Sequence, residues 1–407
     1  MSAARELLQQ LLERRDLSQS QAESLLAHLT DPQLPPAMAG GLLAALSAKG
    51  LAAAEVRGLA QAMRRLARRP ELPANLRSID IVGTGGDASG SFNISTGTAL
   101  LTAACGLPVV KHGNRSVSSR CGSADVLEAL GLGVPLDAAE AGACLAATRF
   151  TYLFAPHYHP ATARVTPIRA ALGVRTVFNI LGPLVNPAEP PLHLVGAFSL
   201  EVSRLIAEAF QGLPIERTFV VHGAAGWDEP TPIGPFTLFD VRPGSVAVSV
   251  RSAAEYGLPP CSAADLAGGD AAHNARALTA VLRGEERGAH RDCLLLGTAL
   301  ALEVAGLVRD PREGVARAVA AIDGGAAGRL LESLPQQRSL AAAARSARAP
   351  PRYPCSPSRA DSTGPCPTSL KRHRTSQRCA SPRCARTSSS IPTRCSRRGS
   401  LAPAASC

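Results

Sequence analysis

The 407-residue sequence has no uninterrupted apolar stretch of eighteen residues, which leaves no candidate for a membrane-spanning helix. No secretory leader is expected at its start. Arg5 and Glu6 fall in a helical pattern there, and the expectation is a cytoplasmic protein. Aromatic residues amount to only 3%, so a core has to be built from the abundant Ala, Leu and Val of a globular chain. No two cysteines form a C-x-x-C pair, which removes the common zinc and dithiol motifs. Five of the eleven, Cys105, Cys121, Cys144, Cys261 and Cys293, are scattered through the first 335 residues as ordinary reduced thiols; six lie from Cys355 onward. Acidic residues are nearly absent from residue 336 on, where Asp361 stands against 14 Lys and Arg. The first 335 residues carry 29 basic and 31 acidic side chains, so the formal charge of +11 belongs to the last 72 residues.

What is present divides into three parts. Residues 1–72 read as short amphipathic helices, with Leu7, Leu8, Leu11 and Leu12, then Leu42 to Leu46, then Val56 to Leu66 at helical spacing, and breaks at Pro32 to Pro36, at Gly50 and at Pro70. From residue 73 to 335, short apolar runs alternate with helical stretches: Ser78 to Val82, Leu107 to Val110, Leu192 to Phe198, Thr218 to Val221 and Ser245 to Val250. That alternation predicts an α/β fold, a small N-terminal helical domain plus a larger α/β domain with a central mixed or parallel sheet. Residues 336–407 turn to Ser, Arg, Pro and Cys with little to bury, and are expected to be disordered.

The chemistry concentrates where strands end. Ile79-Asp80-Ile81-Val82 runs into Gly83-Thr84-Gly85-Gly86-Asp87, and Asn93-Ile94-Ser95-Thr96-Gly97 opens an Ala- and Leu-rich helix ending near Gly106. Glycines let backbone N–H groups approach a phosphate, and the hydroxyl-rich helix start adds donors and the positive end of the helix dipole. One helix terminus contributes about 0.3–2 kcal/mol toward holding a charge, so a pyrophosphate needs further cations or donors. Lys111-His112-Gly113-Asn114-Arg115-Ser116-Val117-Ser118-Ser119 supplies them after the next strand, and Ser123-Ala124-Asp125 starts another helix that closes at Gly131. A dinucleotide fingerprint fits Gly83-x-Gly85-x-x-Ala88 only loosely. Some twenty residues on, where an acid should meet a ribose, stand Lys111 and His112.

Taken in order, Gly83 to Asp87, Asn93 to Thr96, Lys111 to Arg115 and Gly122 to Asp125 resemble the successive signatures of anthranilate phosphoribosyltransferases. Arg175-Thr-Val-Phe-Asn-Ile-Leu-Gly-Pro-Leu-Val-Asn-Pro187, His222-Gly223 and Asp228-Glu229 continue the resemblance, which covers residues 1 to about 335. It implies a helical domain hinged to an α/β domain, the former completed by helices from about 165–190, and a homodimer acting on two small molecules. It implies that Gly83, Gly86, Asp87, Ser91, Asn93, Ile94, Ser95, Thr96, Lys111, His112, Gly113, Asn114, Arg115, Ser116, Val117, Ser118, Ser119 and Ser123 hold phosphoribosyl pyrophosphate. Gly83, Asn114 and Arg169 would meet anthranilate, a guanidinium being suited to a carboxylate. Asp228 and Glu229 would supply magnesium ligands with Ser95 on a second ion, two ions per subunit, since hard oxygen donors suit magnesium. No general base is implied. His112, His157 and His159 lie near the motifs, but an aromatic amine loses its proton readily once it bonds carbon.

The sequence departs from the family pattern at Cys121, where Ser is usual, at Arg120, where Lys is common, and at Gly297-Thr298 in a late helix. Gly297 inside a helix should cost about 1 kcal/mol. Two other functions compete: a pyrimidine nucleoside phosphorylase of the same architecture, and a nucleic-acid-binding relative suggested by the overall charge. No nucleic-acid or membrane partner is expected once that charge is assigned to residues 336–407. Read in a shifted frame with plausible codons, residues 385–394 resemble indole-glycerol-phosphate synthase, which implies a frameshifted or truncated fusion.

Overall fold

The computed structural model describes residues 2–116 and 120–336. The expectations of disorder and of a frameshifted fusion fall on residues 336–407, of which 337–407 lie outside the described residues. Four helices open the chain: α1 (Ser2–Leu12), α2 (Gln19–Thr30), α3 (Pro36–Lys49) and α4 (Ala53–Leu66). Then come β1 (Ile79–Gly83), α5 (Ile94–Ala104), β2 (Val109–Gly113), α6 (Ser123–Ala129), α7 (Ala138–Thr148), β3 (Phe150–Phe154), the one-turn α8 (Ala155–Tyr158) and α9 (Val165–Leu172). The chain continues with β4 (Leu192–Gly196), α10 (Leu200–Phe210), β5 (Arg217–His222), β6 (Phe236–Arg242), β7 (Ser245–Arg251), α11 (Ala271–Leu282), α12 (Ala289–Val304) and α13 (Pro311–Asp323). Among the described residues no helix is long and apolar enough to cross a membrane.

The α/β class with a mixed sheet is what the structure shows. The sheet runs β3-β2-β1-β4-β5-β6-β7, with the first five strands parallel and the last two antiparallel. Side chains alternate across it. Ile79, Ile81, Leu192, Leu194, Phe219 and Val221 pack with α5, α6 and α11 to α13 on one face. Val82, Val195, Val220, Phe239 and Val241 pack with α1 to α4 and α10 on the other. The strand order reverses at β1, whose neighbours are β2 and β4, and crevices at such switch points lie beyond the carboxyl ends of the strands.

Helix α2 was not expected from the leucine pattern. Its start is a capping box: the Ser18 hydroxyl accepts from the Gln21 N–H at 3.2 Å, and the Gln21 side chain accepts from the Ser18 N–H at 2.8 Å. α2 lies close on α4 because Gly58 has no side chain; a Cβ there would sit 2.2 Å from the Gln19 carbonyl. The fully buried Glu55 fastens the loops around this pair, accepting from the Leu17 and Ala52 amides at 2.8 Å each and from Lys49 at 3.0 Å. Glu55→Ala strands those donors, and a loss of about 3–5 kcal/mol is expected in denaturant unfolding; a loss under about 1 kcal/mol would refute that assignment.

The Gly297 departure has a structural counterpart. A Cβ at Gly297 in α12 would lie 2.6 Å from the Thr98 hydroxyl of α5, and one at Gly97 in α5 would lie 2.6 Å from Leu278 and 2.8 Å from Leu294. The propensity cost of a helical glycine is offset by the close approach it allows between α12 and α5.

Candidate active site

Four strand ends build the site. Gly83 closes β1, Gly196 closes β4 and the two are paired in register. A Cβ on Gly83 would fall 2.3 Å from the Asp228 carboxylate, and one on Gly196 only 1.5 Å from the Asp228 carbonyl. These two glycines form a notch that seats Asp228, delivered by the loop after β5. There the Asp228 carboxylate accepts from the Gly85 N–H at 2.6 Å, while the Asp228 N–H donates to Asp87 at 3.3 Å. Glu229 accepts from the Ser95 N–H, in the first turn of α5, at 3.2 Å. Lys111, buried at the end of β2, donates to the Ile81 carbonyl and to the Ser95 hydroxyl, the latter at 3.2 Å.

This is a dense arrangement of opposed charge. Burial and the adjacent Asp87 carboxylate push Asp228 up to about 7. Burial and Asp228 push Glu229 well above the ordinary carboxylate range. Burial pulls Lys111 down, against the attraction of Asp80, Glu229 and Asp228. Carboxylates that resist ionisation this way gain by sharing a cation. Among the described residues no group of three His, Cys, Asp or Glu side chains forms a self-contained metal centre. The donor set therefore fits an ion that takes one or two carboxylates and completes its shell with water and substrate phosphate, which is how magnesium is held.

The sequence-derived residues divide into several kinds. Gly83, Gly86, Asp87, Ser91, Asn93, Ser95 and Lys111 surround the notch or the opening of α5. Ile94 and Thr96 carry their side chains into the core, so that only their backbone faces the helix start. His112 is buried with Nδ1 3.2 Å from the Gly182 carbonyl, and its ring meets that of His159 edge-on at 5.1 Å. Burial holds His112 down to about 3 and His159 to about 4, so both rings are neutral near neutral pH and neither serves as an imidazolium acid.

In the second loop, Asn114 is exposed, with its side chain accepting from the Arg115 N–H at 2.8 Å. Arg115 is committed to α6, donating to Asp125 at 2.8 Å and to both oxygens of Glu128 at 2.6 and 2.7 Å. The Ser116 N–H donates to Asp125 at 3.3 Å. The Ser123 hydroxyl pairs with the buried Tyr152 hydroxyl at 2.9 Å, close behind Gly113. Val117, Ser118 and Ser119 lie outside the described residues. Arg169, half-buried on α9, stacks over Phe178 at 5.3 Å. Burial lowers its affinity for a proton, and among the described residues it meets no carboxylate.

Sequence reasoning gave no role to several contributors. Arg175 stacks over Phe198 at 4.2 Å and donates to the Gly86 carbonyl, pinning the segment before Thr176 to the glycine loop. Tyr152 sits on β3, a strand the apolar runs did not disclose. The described cysteines are all free, and burial pushes Cys105 up to about 12 and Cys121 and Cys144 to about 11, so none of these three is a thiolate nucleophile.

Residues 75–328 match the α/β domain of a glycosyl transferase family and residues 5–67 its helical bundle domain. The chain is 44% identical over 324 residues to an anthranilate phosphoribosyltransferase of Desulforudis audaxviator (strain MP104C), covering 79% of this chain and 93% of that one. It is 45% identical over 329 residues to one of Synechococcus sp. (strain JA-3-3Ab), covering 81% and 96%. The crystal structure of the Thermus thermophilus anthranilate phosphoribosyltransferase superposes with a TM-score of 0.76 at 38% identity, covering 81% of this chain and 98% of that one. The Saccharomyces cerevisiae enzyme in complex with PRPP and Mg gives 0.76 at 28% identity, covering 83% and 98%. The chain belongs to the anthranilate phosphoribosyltransferase family.

Proposed function

We propose that this protein transfers the phosphoribosyl group of phosphoribosyl pyrophosphate to the amine of anthranilate, releasing pyrophosphate, a step of tryptophan biosynthesis. The observation that carries the reading is the meeting of the α5 start, the Gly85-Gly86 turn and the Asp228-Glu229 pair around Lys111 at the switch point. The amides of Gly85 and Ser95, which here give their hydrogens to Asp228 and Glu229, would turn to diphosphate oxygens once a cation engages those carboxylates, helped by the α5 dipole. Asp228 and Glu229, with the Ser95 hydroxyl, would hold magnesium. When bound, that ion neutralises charge accumulating on the departing pyrophosphate. A bond forms between the amine nitrogen and the sugar carbon as the bond from that carbon to pyrophosphate breaks, and the nitrogen then sheds its proton. Arg169 takes the anthranilate carboxylate and Asn114 the same substrate from the second loop, aligning the amine.

Several finer points belong to the same reading. The helical lobe is residues 1–72 completed by 165–190, a grouping supported by the packing of Ile168 and Leu172 of α9 near Gly40 of α3. A homodimer belongs to the same reading, and the apolar hollow lined by Pro36, Ala44, Ile168 and Leu172 is the surface it would cover. Two magnesium ions and a cytoplasmic location complete the reading. The phosphorylase alternative loses its footing beside relatives that carry anthranilate in their names. The nucleic-acid alternative drew on the charge of residues 336–407.

The test is loss of anthranilate fluorescence when phosphoribosyl pyrophosphate and magnesium are added, with a chain ending at Leu334 alongside. Loss that needs every component supports the reaction; a folded protein without it refutes the reading. Arg169→Ala removes a charge-assisted contact of about 1.5–3 kcal/mol, so the KM for anthranilate should rise about 10- to 100-fold while that for phosphoribosyl pyrophosphate holds. An unchanged anthranilate KM would take Arg169 out of that site.

A further inference from the structure

Asn93 occupies the N-cap position of α5, where an Asn side chain ordinarily turns back to accept from the first free amides of its own helix. Here it makes no such bond. Its side-chain oxygen accepts from Asn274 Nδ2 at 2.8 Å, and its side-chain nitrogen donates to the Cys121 carbonyl at 3.2 Å. Asn274, 1% exposed on α11, is oriented in turn by the Gly269 N–H, which donates to its oxygen at 2.7 Å. With that oxygen accepting, only the nitrogen of Asn274 can face Asn93, and Asn93 must direct its own nitrogen to Cys121.

The strap before α11 is built onto the glycine loop. Ser91 and Ala267 form an antiparallel bridge, the Gly268 N–H donates to the Gly90 carbonyl at 2.8 Å, and the Phe92 N–H donates to Leu266 at 3.0 Å. Gly268 is required there, since a Cβ would lie 2.4 Å from the Ser91 carbonyl. Beyond Cys121, the Gly122 N–H donates to Asp125 at 2.9 Å, the same carboxylate oxygen that takes the Ser116 N–H. A continuous chain of hydrogen bonds thus runs from α11 through Asn93 to the base of the second loop.

We propose that Asn274 is a positioning residue for phosphoribosyl pyrophosphate: by holding the Asn93 side chain off the α5 start and onto Cys121, it keeps the Asn93 side chain from capping that helix and fixes Cys121 and Gly122 beside it. The inference rests on the reaction proposed above. Without the Asn274 donor, Asn93 is free to cap its own helix and occupy the amides a phosphate needs.

The full-length chain is compared with Asn274→Ala and Asn274→Asp, the latter keeping the acceptor for Gly269 while losing the donor to Asn93. The KM values for both substrates, the calorimetric affinity for phosphoribosyl pyrophosphate with magnesium, and the Tm are measured on the same samples. Both variants should raise the KM and Kd for phosphoribosyl pyrophosphate about tenfold, the worth of about 1.4 kcal/mol, with the anthranilate KM within about twofold. The double variant Asn93→Ala, Asn274→Ala should lose clearly less than the two single losses combined, because the two residues act in one chain. A folded Asn274→Asp with wild-type affinity overturns the inference. So do equal rises in both KM values, or additive losses in the double variant. If wild type binds phosphoribosyl pyrophosphate but never consumes anthranilate, the proposed reaction fails instead, and the affinity ratio still decides the role of Asn274.

Discussion

Gly196→Ala is expected to abolish most of the activity, lowering kcat/KM about 10²-fold or more. The added methyl would have to occupy space 1.5 Å from the Asp228 carbonyl oxygen and 2.4 Å from its carbon. Both obstacles are backbone, so no rotamer change relieves them, and the loop carrying Asp228 and Glu229 must retreat from β4. A displacement of about 1 Å in a reacting site costs about 10²-fold. Gly41→Ala in α3 is the control, since its methyl would meet only Leu8 at an ordinary 3.9 Å. Steady-state kinetics with circular dichroism separates displacement from unfolding. A Gly196→Ala enzyme with normal kcat/KM would show that the notch does not set the position of Asp228.

The second large effect falls on Asp228 itself. Asp228→Ala should cost about 10²-fold in kcat/KM at a magnesium level that saturates wild type, partly recovered by adding more of the ion. Asp228→Asn is the sharper probe, because an amide oxygen can still accept from Gly85 while the charge is lost. If the charge matters, Asn and Ala behave alike in the magnesium titration. Should Asn restore the wild-type response, Asp228 is a loop fastener and not a metal ligand. The sign of the pH effect follows from the raised pKa: with Asp228 pushed up to about 7, a proton competes with the ion as pH falls, and the apparent magnesium affinity should be weaker at about pH 6 than at about pH 8. Equal affinities at the two pH values would contradict it.

The residues at strand ends were legible because their physics is local. An apolar run before Gly83-Thr84-Gly85-Gly86 has few uses other than a strand feeding a tight turn, and the Ser and Thr after Asn93 mark a helix start wherever they occur. β3 escaped because Phe150-Thr-Tyr-Leu-Phe154 runs directly into Ala155-Pro156, leaving its end without a break. β6 was hidden because Phe236 to Arg242 alternates only partly before Pro243-Gly244. α2 hides a narrow apolar stripe, Ala22, Leu25, Leu26 and Leu29, among Gln and Ser.

The less legible parts of the site are tertiary. Asn274 meets Asn93 across 181 residues, and Arg175 reaches Gly86 across 89. No pattern within one segment announces either contact. Gly297 shows the same limit from the other side: judged by helix propensity it is a defect, and judged by the hydroxyl of Thr98 it is a fit.

The two amides at the heart of the site are already spoken for. Gly85 gives its hydrogen to Asp228 and the first turn of α5 gives one to Glu229, at 2.6 and 3.2 Å. Each carboxylate is an internal substitute for the anion the amides would otherwise greet. On the proposed function, a cation that drew those carboxylates toward itself would release the hydrogens, and an anion that claimed the hydrogens would release the carboxylates. The two visitors would then improve each other's welcome by one and the same factor, whichever arrives first.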